Sequence, residues 1–281
     1  MSHSRCVNRL QPVSQSLVRT GLTLLEMVVV LGILALLATV AVRSLEPIAD
    51  QSRYETTKRQ LETIRQAVAD PQPIRQADGS VSFSGFVSDI GRLPVSNGAG
   101  VLELVELWDG SMFTTYPFSV RSGPATPIDY SEIVLPCGWR GPYLQPARLE
   151  DGLYDGWGNP FVASIGTIRT VEQITGISTT PVGDYNTLES DWSHAFATVS
   201  GVLTDGGQPA NGTVVLLYPD PTLTDTLAVM PDSDTAVDGS FVFNEVPVGL
   251  RAIHVTIGTE TIIRYVQVPP SGLTLAIGVN P

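Results

Sequence analysis

The chain has 281 residues, of which 43% are hydrophobic, and it carries a formal net charge of −12. A chain of this length accommodates two domains of ordinary size. The acidic balance excludes most nucleic-acid-binding proteins, because those need a basic surface to neutralise phosphates. The only cysteines are Cys6 and Cys137, which are too few for a disulfide framework.

A long apolar run, LTLLEMVVVLGILALLATVAV, covers residues 22–42 near the amino terminus. At about 1.5 Å per residue, a helix of this length reaches across the hydrocarbon core of a bilayer. Three arginines and no acidic residue precede the run, which predicts a cytoplasmic amino terminus and a body on the other side of the membrane. The sequence therefore predicts a single-pass membrane protein.

One acidic residue, Glu26, lies within this apolar run. An acid there costs about 2.5 to 3.5 kcal/mol on insertion scales, so it is expected to serve a partner or a function. A secretory signal peptide is one alternative, but the flanking sequence RSLEPIADQ offers no A-x-A-like cleavage site. A plain membrane anchor is another alternative, and it leaves Glu26 unexplained.

Residues 21–26, GLTLLE, resemble the cleavage signature of type IV prepilins. In that family a prepilin peptidase cuts after the glycine, the new amino terminus is N-methylated, and the fifth mature residue is glutamate. The resemblance implies cleavage between Gly21 and Leu22, and it implies that Glu26 pairs with the terminal amine of a neighbouring subunit. Such pairing offsets part of the cost of placing each charge in a low-dielectric medium. Leu22 departs from the phenylalanine that is commonest at this position in the family.

Helical periodicity continues beyond the apolar run, through ETTKRQLETIRQAVA. We therefore expect one transmembrane and stem helix over residues 22–69. Pro47 is expected to kink it, because proline removes a helical hydrogen bond. A helix half in lipid and half beneath a globular domain is the stem of the pilin fold.

Residues 70–194 change to short apolar stretches separated by glycine and proline, which is typical of short strands and ordered loops. Four segments stand out: GFVSDIGRLP, LELVELW, GWRGPYL and DGWGNPF. The GPYL and D-x-WGNP-aromatic segments resemble the globular half of the major pseudopilin of type II secretion. That resemblance implies a small antiparallel sheet packed on the stem helix.

In that pseudopilin a loop near the carboxy-terminal end binds calcium. The corresponding stretch here is PVGDYNTLESDW, whose candidate ligands are Asp184, Asn186, Glu189 and Asp191. Calcium is bound by about six to eight oxygen atoms, and such a loop supplies several. A solvated acidic loop is the other interpretation, since these residue types are ordinary in turns. Calcium stays optional in this prediction, and no cofactor is required.

Residues 195–281 alternate apolar and polar positions with a period of two, which predicts an antiparallel β-sandwich. The stretch VDGSFVFNEVPVGLRAIHV resembles carboxypeptidase regulatory-like domains, which have a transthyretin-like sandwich. The residues that carry this resemblance are Asp238, Gly239, Phe241, Phe243, Val246, Pro247 and Gly249. Their expected role is structural: a tight turn followed by inward-facing aromatic side chains.

No catalytic motif is present: the sequence has no Walker A loop, GxGxxG, GxSxG or HExxH segment. The histidines His3, His194 and His254 are isolated in sequence. The chain is therefore not expected to be an enzyme, and a binding or spacing role is expected for the sandwich.

Together these features predict an α+β protein with a pilin-like long amino-terminal helix, a small antiparallel sheet and an all-β sandwich. The predicted domains are a leader (1–21), the transmembrane and stem helix (22–69), a pseudopilin globular domain (70–194) and the sandwich (195–281). The resemblance implies a structural subunit of a type II secretion or type IV pilus-like filament. Its expected partners are prepilin peptidase, other pseudopilin subunits and the inner membrane, with the folded domains in the periplasm and no nucleic acid bound. The alternative is a membrane-anchored periplasmic protein whose sandwich recognises peptide or glycan.

Overall fold

The computed structural model describes residues 23–95, 104–120, 130, 132–145, 153–168, 171–182, 185–220, 227–230, 233–234 and 238–279, with only the backbone of 40–45, 120, 171, 233 and 234. The chain divides into two compact units, Met1–Gln51 and Ser52–Pro281. The predicted boundary between a globular domain and a sandwich, at residues 194 and 195, falls inside the second unit. It stays a prediction.

Helix α1 spans Leu24–Val68 and contains Pro47. Between Leu24 and Leu37, its described large apolar side chains are 45–83% exposed. Within the part of the chain that the structure describes, no helix combines the length and hydropathy needed to cross a bilayer. Further along, Leu61, Ile64 and Val68 share one helical face and are buried.

Beyond α1, the described residues in the first half of the second unit form short strands, one short helix and two single 3-10 turns. Helix α2 spans Phe86–Ile90, and the turns span Val105–Leu107 and Ser193–Ala195. The strands are β1 (Ile74–Arg75), β2 (Val81–Ser82), β3 (Phe118–Val120), β4 (Leu135–Cys137), β5 (Val162–Ile168), β6 (Val171–Ser178) and β7 (Glu189–Asp191). They pair antiparallel as β1-β2, β3-β4 and β5-β6-β7.

The core of this half forms where α1 meets α2 and the β5-β6-β7 sheet. Ile64 of α1, Phe86 of α2, Ile174 of β6 and Trp192 after β7 are each at most 1% exposed. The apolar face of α1 is therefore covered by side chains that come from distant parts of the sequence. Val248, which belongs to the second half of the unit, is buried in the same cluster.

The second half is a sandwich of two sheets. Its strands are β8 (Phe196–Asp205), β9 (Gln208–Pro209), β10 (Thr213–Pro219), β11 (Leu227–Val229), β12 (Ser233–Asp234), β13 (Ser240–Pro247), β14 (Gly249–Ile257), β15 (Glu260–Val268) and β16 (Leu273–Val279). One sheet has the order β11-β10-β14-β15, with β12 also paired to β10. The other has the order β13-β8-β16, with β9 also paired to β8.

The period-2 pattern correctly identified the inward-facing residues of the sandwich. Phe241 and Phe243 of β13 are buried, while Val242 between them is half-exposed. The turn before them also has its expected form, because Gly239 has a φ of 74° and Asp238 Oδ1 accepts a hydrogen bond from Ser240 N at 3.0 Å. A positive φ favours glycine, which has no Cβ to clash. These observations confirm a β-sandwich.

The prediction that all sandwich strands pair antiparallel is wrong for the last strand. β16 pairs with β8 in parallel, from Leu273 opposite Val199 to Val279 opposite Asp205. The reason is that the preceding strand, β15, belongs to the other sheet, so the chain crosses between sheets before it reaches β8. The described part of the chain is thus mostly β, with few helices.

Candidate functional site

The predicted assembly residue, Glu26, lies in the first turn of α1. Its main-chain N–H donates to Thr23 Oγ1 at 3.3 Å, and its side chain is exposed. An acid is favoured at this end of a helix, where unpaired N–H groups carry partial positive charge. Leu24 and Leu25 beside it are 83% and 73% exposed. The predicted cleavage site, Gly21 and Leu22, lies outside the described residues.

The four candidate calcium ligands have different surroundings. Asp184 lies outside the described residues, Asn186 is exposed, and Glu189 and Asp191 lie at the two ends of β7. The carboxylate of Asp191 accepts hydrogen bonds from Ser193 N at 2.7 Å and from Ser193 Oγ at 2.8 Å, so it caps the following turn. Among the described residues, no three His, Cys, Asp or Glu side chains are grouped to hold a metal ion. Calcium binding stays a prediction.

Glu189 and Asp191 line a cavity of about 580 Å³ together with three basic side chains of α1. Those basic residues are Lys58, Arg59 and Arg65. Acidic and basic side chains that line one cavity offset part of each other's charge. Glu55 and Glu62 of α1 line the same cavity, and Arg65 pairs with Glu62 at 3.3 Å, so the helix offsets the charge of Glu189 and Asp191 only in part.

Two of the segments that stand out in the sequence meet around one buried carboxylate, that of Asp89. Asp89 belongs to GFVSDIGRLP, is 4% exposed and lies in α2. From the GWRGPYL segment, Arg140 Nη2 approaches Asp89 Oδ1 at 3.1 Å, and the Tyr143 hydroxyl donates to Asp89 Oδ2 at 3.0 Å. Tyr143 also accepts a hydrogen bond from Arg140 N at 3.0 Å. We call these three residues the motif junction.

The motif junction lies at the edge of a cavity of about 330 Å³ whose other wall is α1, at Thr63 and Gln66. Arg140 is 45% exposed at the side chain, and its guanidinium lies 4.0 Å from the centre of the Tyr116 ring. A half-exposed guanidinium over an aromatic ring keeps its charge and a defined orientation. The junction therefore combines a buried acid with an accessible, oriented cation.

Burial raises the pKa of Asp89 to about 6, and the ion pair with Arg140 and the hydrogen bond from Tyr143 offset only part of that effect. Burial, followed by the nearby charge of Asp89, raises the pKa of Tyr143 above its ordinary value. A carboxyl group with a pKa near 6 changes charge within the ordinary working range of pH. Such groups are often found at functional sites, although structural ion pairs also produce them.

Replacing Asp89 with asparagine is expected to remove one source of pH dependence in stability. Because the pKa of Asp89 rises from 3.8 to about 6 on folding, its contribution to stability is complete below pH 3.8 and is lost as pH rises through about 6. Relative to wild type, Asp89→Asn should therefore gain about 2 to 3 kcal/mol in unfolding free energy between pH 4 and pH 7. Urea unfolding at each pH measures this difference.

The matched control is Asp78→Asn, at an exposed acid. Hydrogen bonds from Ser80 lower the pKa of Asp78, so its contribution to stability is lost as pH falls and has the opposite sign. An Asp89→Asn curve that runs parallel to wild type across this range would contradict the raised pKa.

A buried ion pair joins the segment that carries Asp89 to a third segment. The guanidinium of Arg92 donates two hydrogen bonds to the Glu106 carboxylate, at 2.7 and 2.8 Å, and Glu106 Oε2 also accepts from Val95 N at 3.0 Å. Both residues are at most 8% exposed. Such bidentate pairs give a defined geometry. The pair fastens GFVSDIGRLP to LELVELW, and no ligand is needed to explain it.

The D-x-WGNP segment forms a tight turn against α1. Asp155 Oδ1 accepts hydrogen bonds from Trp157 N at 2.9 Å and from Asn159 N at 2.8 Å. Gly156 donates to Thr57 Oγ1 of α1 at 2.8 Å, and a Cβ at Gly156 would lie 2.3 Å from the carbonyl of Arg53. The glycine is therefore required by close contact with the helix. The role of this segment is structural.

The sequence patterns did not single out Arg251 of β14, which is 1% exposed. Its guanidinium donates to five main-chain carbonyls. The acceptors are Val87 at 3.2 Å, Ser88 at 3.4 Å, Pro247 at 2.9 Å, Leu250 at 2.6 Å and Val248. Two of these carbonyls belong to α2, so Arg251 joins the sandwich to the motif junction. The period-2 pattern of LRAIHV indicates that Arg251 is buried, because it places Arg251 on the same strand face as Ile253 and Val255.

The two described histidines do not form a catalytic pair. His254 is 3% exposed, and its ring meets Tyr130 edge-to-face with 5.2 Å between centroids. Burial lowers the pKa of His254 and of His194. Both are therefore expected to be neutral at pH 7.

No protein-family model and no curated protein matches the sequence of this chain. Several solved structures match parts of the chain. One is the dioxygenase domain of a dioxygenase–carbohydrate-binding protein fusion from Streptomyces sp. SirexAA-E, at 14% identity and a TM-score of 0.25, covering 30% of this chain and 79% of that one.

A candidate carbohydrate-binding protein from Pseudomonas aeruginosa matches at 17% identity and a TM-score of 0.21, over 30% of this chain and 89% of that one. The pilus 2b backbone protein of group B streptococcus matches at 11% identity and a TM-score of 0.27, over 42% of this chain and 51% of that one. TM-scores this low transfer no function to this chain.

Proposed function

We propose that this chain is a pseudopilin-type structural subunit of a type II secretion or type IV pilus-like filament. In this proposal prepilin peptidase removes residues 1–21, and the remaining helix leaves the inner membrane to pack beside the helices of other subunits. The folded unit then lies on the periplasmic side. No catalytic step is part of this function.

The observation that carries the proposal is an acid in an exposed apolar helix. Glu26 lies in the first turn of α1, and the large apolar side chains from Leu24 to Leu37 are exposed along that part of the helix. Exposed apolar surface of this extent indicates an interaction with lipid or with another protein. Because lipid tails are as apolar as these side chains, close packing against a neighbouring helix supplies the attraction between subunits.

Charge pairing explains why the acid belongs there. In a filament core, a carboxylate and a terminal ammonium are each costly alone, and together they offset part of that cost. Because only one stagger between helices brings Glu26 to a neighbour's amine, the pair also selects the register of packing. Apolar contact supplies affinity in this arrangement, and the ion pair supplies specificity.

The alternative function is that of a membrane-anchored periplasmic binding protein, in which α1 is only a tether. The observation that favours it is a polar groove on the sandwich, whose lining includes Thr198, Asn244 and Glu245. The two functions predict different fates for the amino terminus, because a tether needs no cleavage.

Cleavage by prepilin peptidase tests the proposal. The full chain is expressed in bacterial membranes with and without an active peptidase, and its intact mass is measured. We expect the mass to fall by that of residues 1–21 only when the peptidase is present. Gly21→Val is the matched control, and it is expected to keep its full mass. An unchanged wild-type mass in the presence of an active peptidase would favour the tether.

A further inference from the structure

A polar groove opens on the outer face of the sheet formed by β13, β8 and β16. It encloses about 640 Å³, within the range of roughly 300 to 1,000 Å³ that is typical of small-molecule sites. Its floor comes from Thr198 and Ser200 of β8, Asn244 and Glu245 of β13, and Thr274 of β16. The turn between β15 and β16 supplies one wall.

The lining of this groove is rich in groups that both donate and accept hydrogen bonds. Hydroxyls come from Ser193, Thr198, Ser200, Ser271 and Thr274, and one amide comes from Asn244. Among the described lining residues, Glu245 supplies the one carboxylate and there is no Lys, Arg or His. A carboxylate without a neighbouring cation disfavours anionic ligands. Hydroxyls and amides suit a ligand that itself carries many hydroxyl groups.

The polar side chains on the floor are only weakly satisfied by one another. Thr198 Oγ1 donates to Asn244 Oδ1 at 3.4 Å, and the hydroxyls of Ser200 and Thr274 are also 3.4 Å apart. Hydrogen bonds that involve hydroxyl donors are ordinarily about 2.7 to 2.8 Å long. Breaking these long contacts to form hydrogen bonds with a ligand therefore costs little free energy.

A β-bulge brings the amide and the carboxylate to the same side of the sheet. Strand β13 shifts register between Phe243 and Val246, which are both buried, while Asn244 and Glu245 between them are both exposed. Regular alternation would turn one of these two side chains inward. Bulges of this kind re-aim side chains and are common next to binding and active sites.

The backbone at this bulge is strained. Glu245 has a φ of 55° and is the one non-glycine residue with positive φ in the described part of the chain. Glycine would adopt this conformation without a Cβ clash. Backbone strain at a residue whose side chain lines a cavity is typical of functional sites.

We propose that this groove binds an uncharged oligosaccharide through the hydroxyls, Asn244 and Glu245. Phe196 and Pro270, which also line the groove, present apolar surface to the C–H face of a sugar ring. The carboxylate of Glu245 accepts hydrogen bonds from sugar hydroxyls, and Asn244 both donates and accepts. This inference is independent of polymerisation, because every residue that it uses belongs to a single chain.

Binding is measured by isothermal titration calorimetry on the full chain in lauryldimethylamine oxide, a detergent without a sugar head group. The neutral probes are cellohexaose, chitohexaose, maltohexaose and mannohexaose, and the anionic probe is hexagalacturonate. We expect at least one neutral probe to bind with a dissociation constant of about 1 mM or lower. We expect no binding of the anionic probe.

Two variants and one control connect any binding to the groove. Glu245→Gly removes both the carboxylate and the backbone strain, so affinity should fall at least tenfold while the unfolding temperature stays equal or rises. Asn244→Ala should also weaken binding at least tenfold. Thr204→Ala, on the same strand as Thr198 but outside the groove, should bind like wild type.

Three results would overturn the assignment. The first is that no neutral hexasaccharide binds at millimolar concentration. The second is that Glu245→Gly binds with unchanged affinity. The third is that the uncharged peptide Gly-Ser-Gly-Ser-Gly-Ser binds in a Glu245-dependent way while the sugars do not, which assigns the groove to peptides. Filament formation plays no part in these measurements, so their failure leaves the proposed structural role intact.

Discussion

Replacing Glu26 with alanine is expected to lower filament yield about a hundredfold while cleavage after Gly21 continues. In the proposed filament, the terminal amine of the neighbouring subunit would then lose its counter-charge in a low-dielectric core. That loss costs about 2.5 to 3.5 kcal/mol, and each 1.4 kcal/mol corresponds to a factor of ten in an equilibrium. Filaments sheared from cells and quantified by immunoblot measure yield, and intact mass measures cleavage.

Two further variants show which property of Glu26 is responsible for the loss of filament yield: its charge, the helix propensity of its replacement or the size of its side chain. Glu26→Gln keeps the length and polarity of the side chain but removes its charge, and it should assemble as poorly as Glu26→Ala. Glu46→Ala removes an exposed acid from the same helix, beyond the apolar run, and should assemble like wild type. Wild-type yield from Glu26→Ala would refute the pairing role, as would wild-type yield from Glu26→Gln.

Replacing Arg251 with methionine is expected to destabilise the folded unit by about 3 to 5 kcal/mol, because several buried carbonyls lose a donor and each unsatisfied polar group costs about 1 to 3 kcal/mol. The methionine stem fills a similar volume, but five main-chain carbonyls lose their donor, and two of these belong to α2. For a unit of this size, such a loss lowers the unfolding temperature by roughly 10 °C.

Arg264→Met on the neighbouring strand β15 is the matched control. Arg264 lies opposite Ile253 and is exposed, so its replacement should change stability by less than about 0.5 kcal/mol. Tryptophan fluorescence during thermal unfolding of the full chain measures both variants, since Trp108, Trp139, Trp157 and Trp192 all lie in the second unit. Equal unfolding temperatures for the two variants would show that the carbonyls do not depend on Arg251.

Two residues close to Arg251, Val248 and Gly249, also hold the sandwich against the first half of the unit. Val248 is buried in the same cluster as Ile64 of α1, and its main-chain N–H donates to the carbonyl of Ala195 at 3.0 Å. Gly249 passes so close to Ser88 that a Cβ there would lie 2.5 Å from the Ser88 hydroxyl. We therefore expect the sandwich and α2 to unfold together. In the proposed filament, the polar groove would then be held in a fixed orientation on each subunit.

Much of the sandwich could be predicted from the sequence because alternation is a local property. A strand with one buried face repeats every two residues, so the pattern around Phe241 and Phe243 needs no knowledge of the partner strand. Glu26 could also be identified from the sequence, because one acid in an apolar run is recognisable without any tertiary information. The parallel pairing of β16 was not predictable in this way, because alternation is identical in parallel and antiparallel strands.

The sequence by itself determined the elements whose signal lies within one helix or one strand: the apolar run with its acid, the turn at Gly239 and the inward-facing aromatics. The tertiary structure alone decided which distant groups meet. Tyr143 reaches Asp89 across 54 positions of sequence, and Arg251 reaches the carbonyl of Val87 across 164. The physical reason is that periodicity shows which face of an element is buried but not which distant element covers it, and that choice depends on packing between elements.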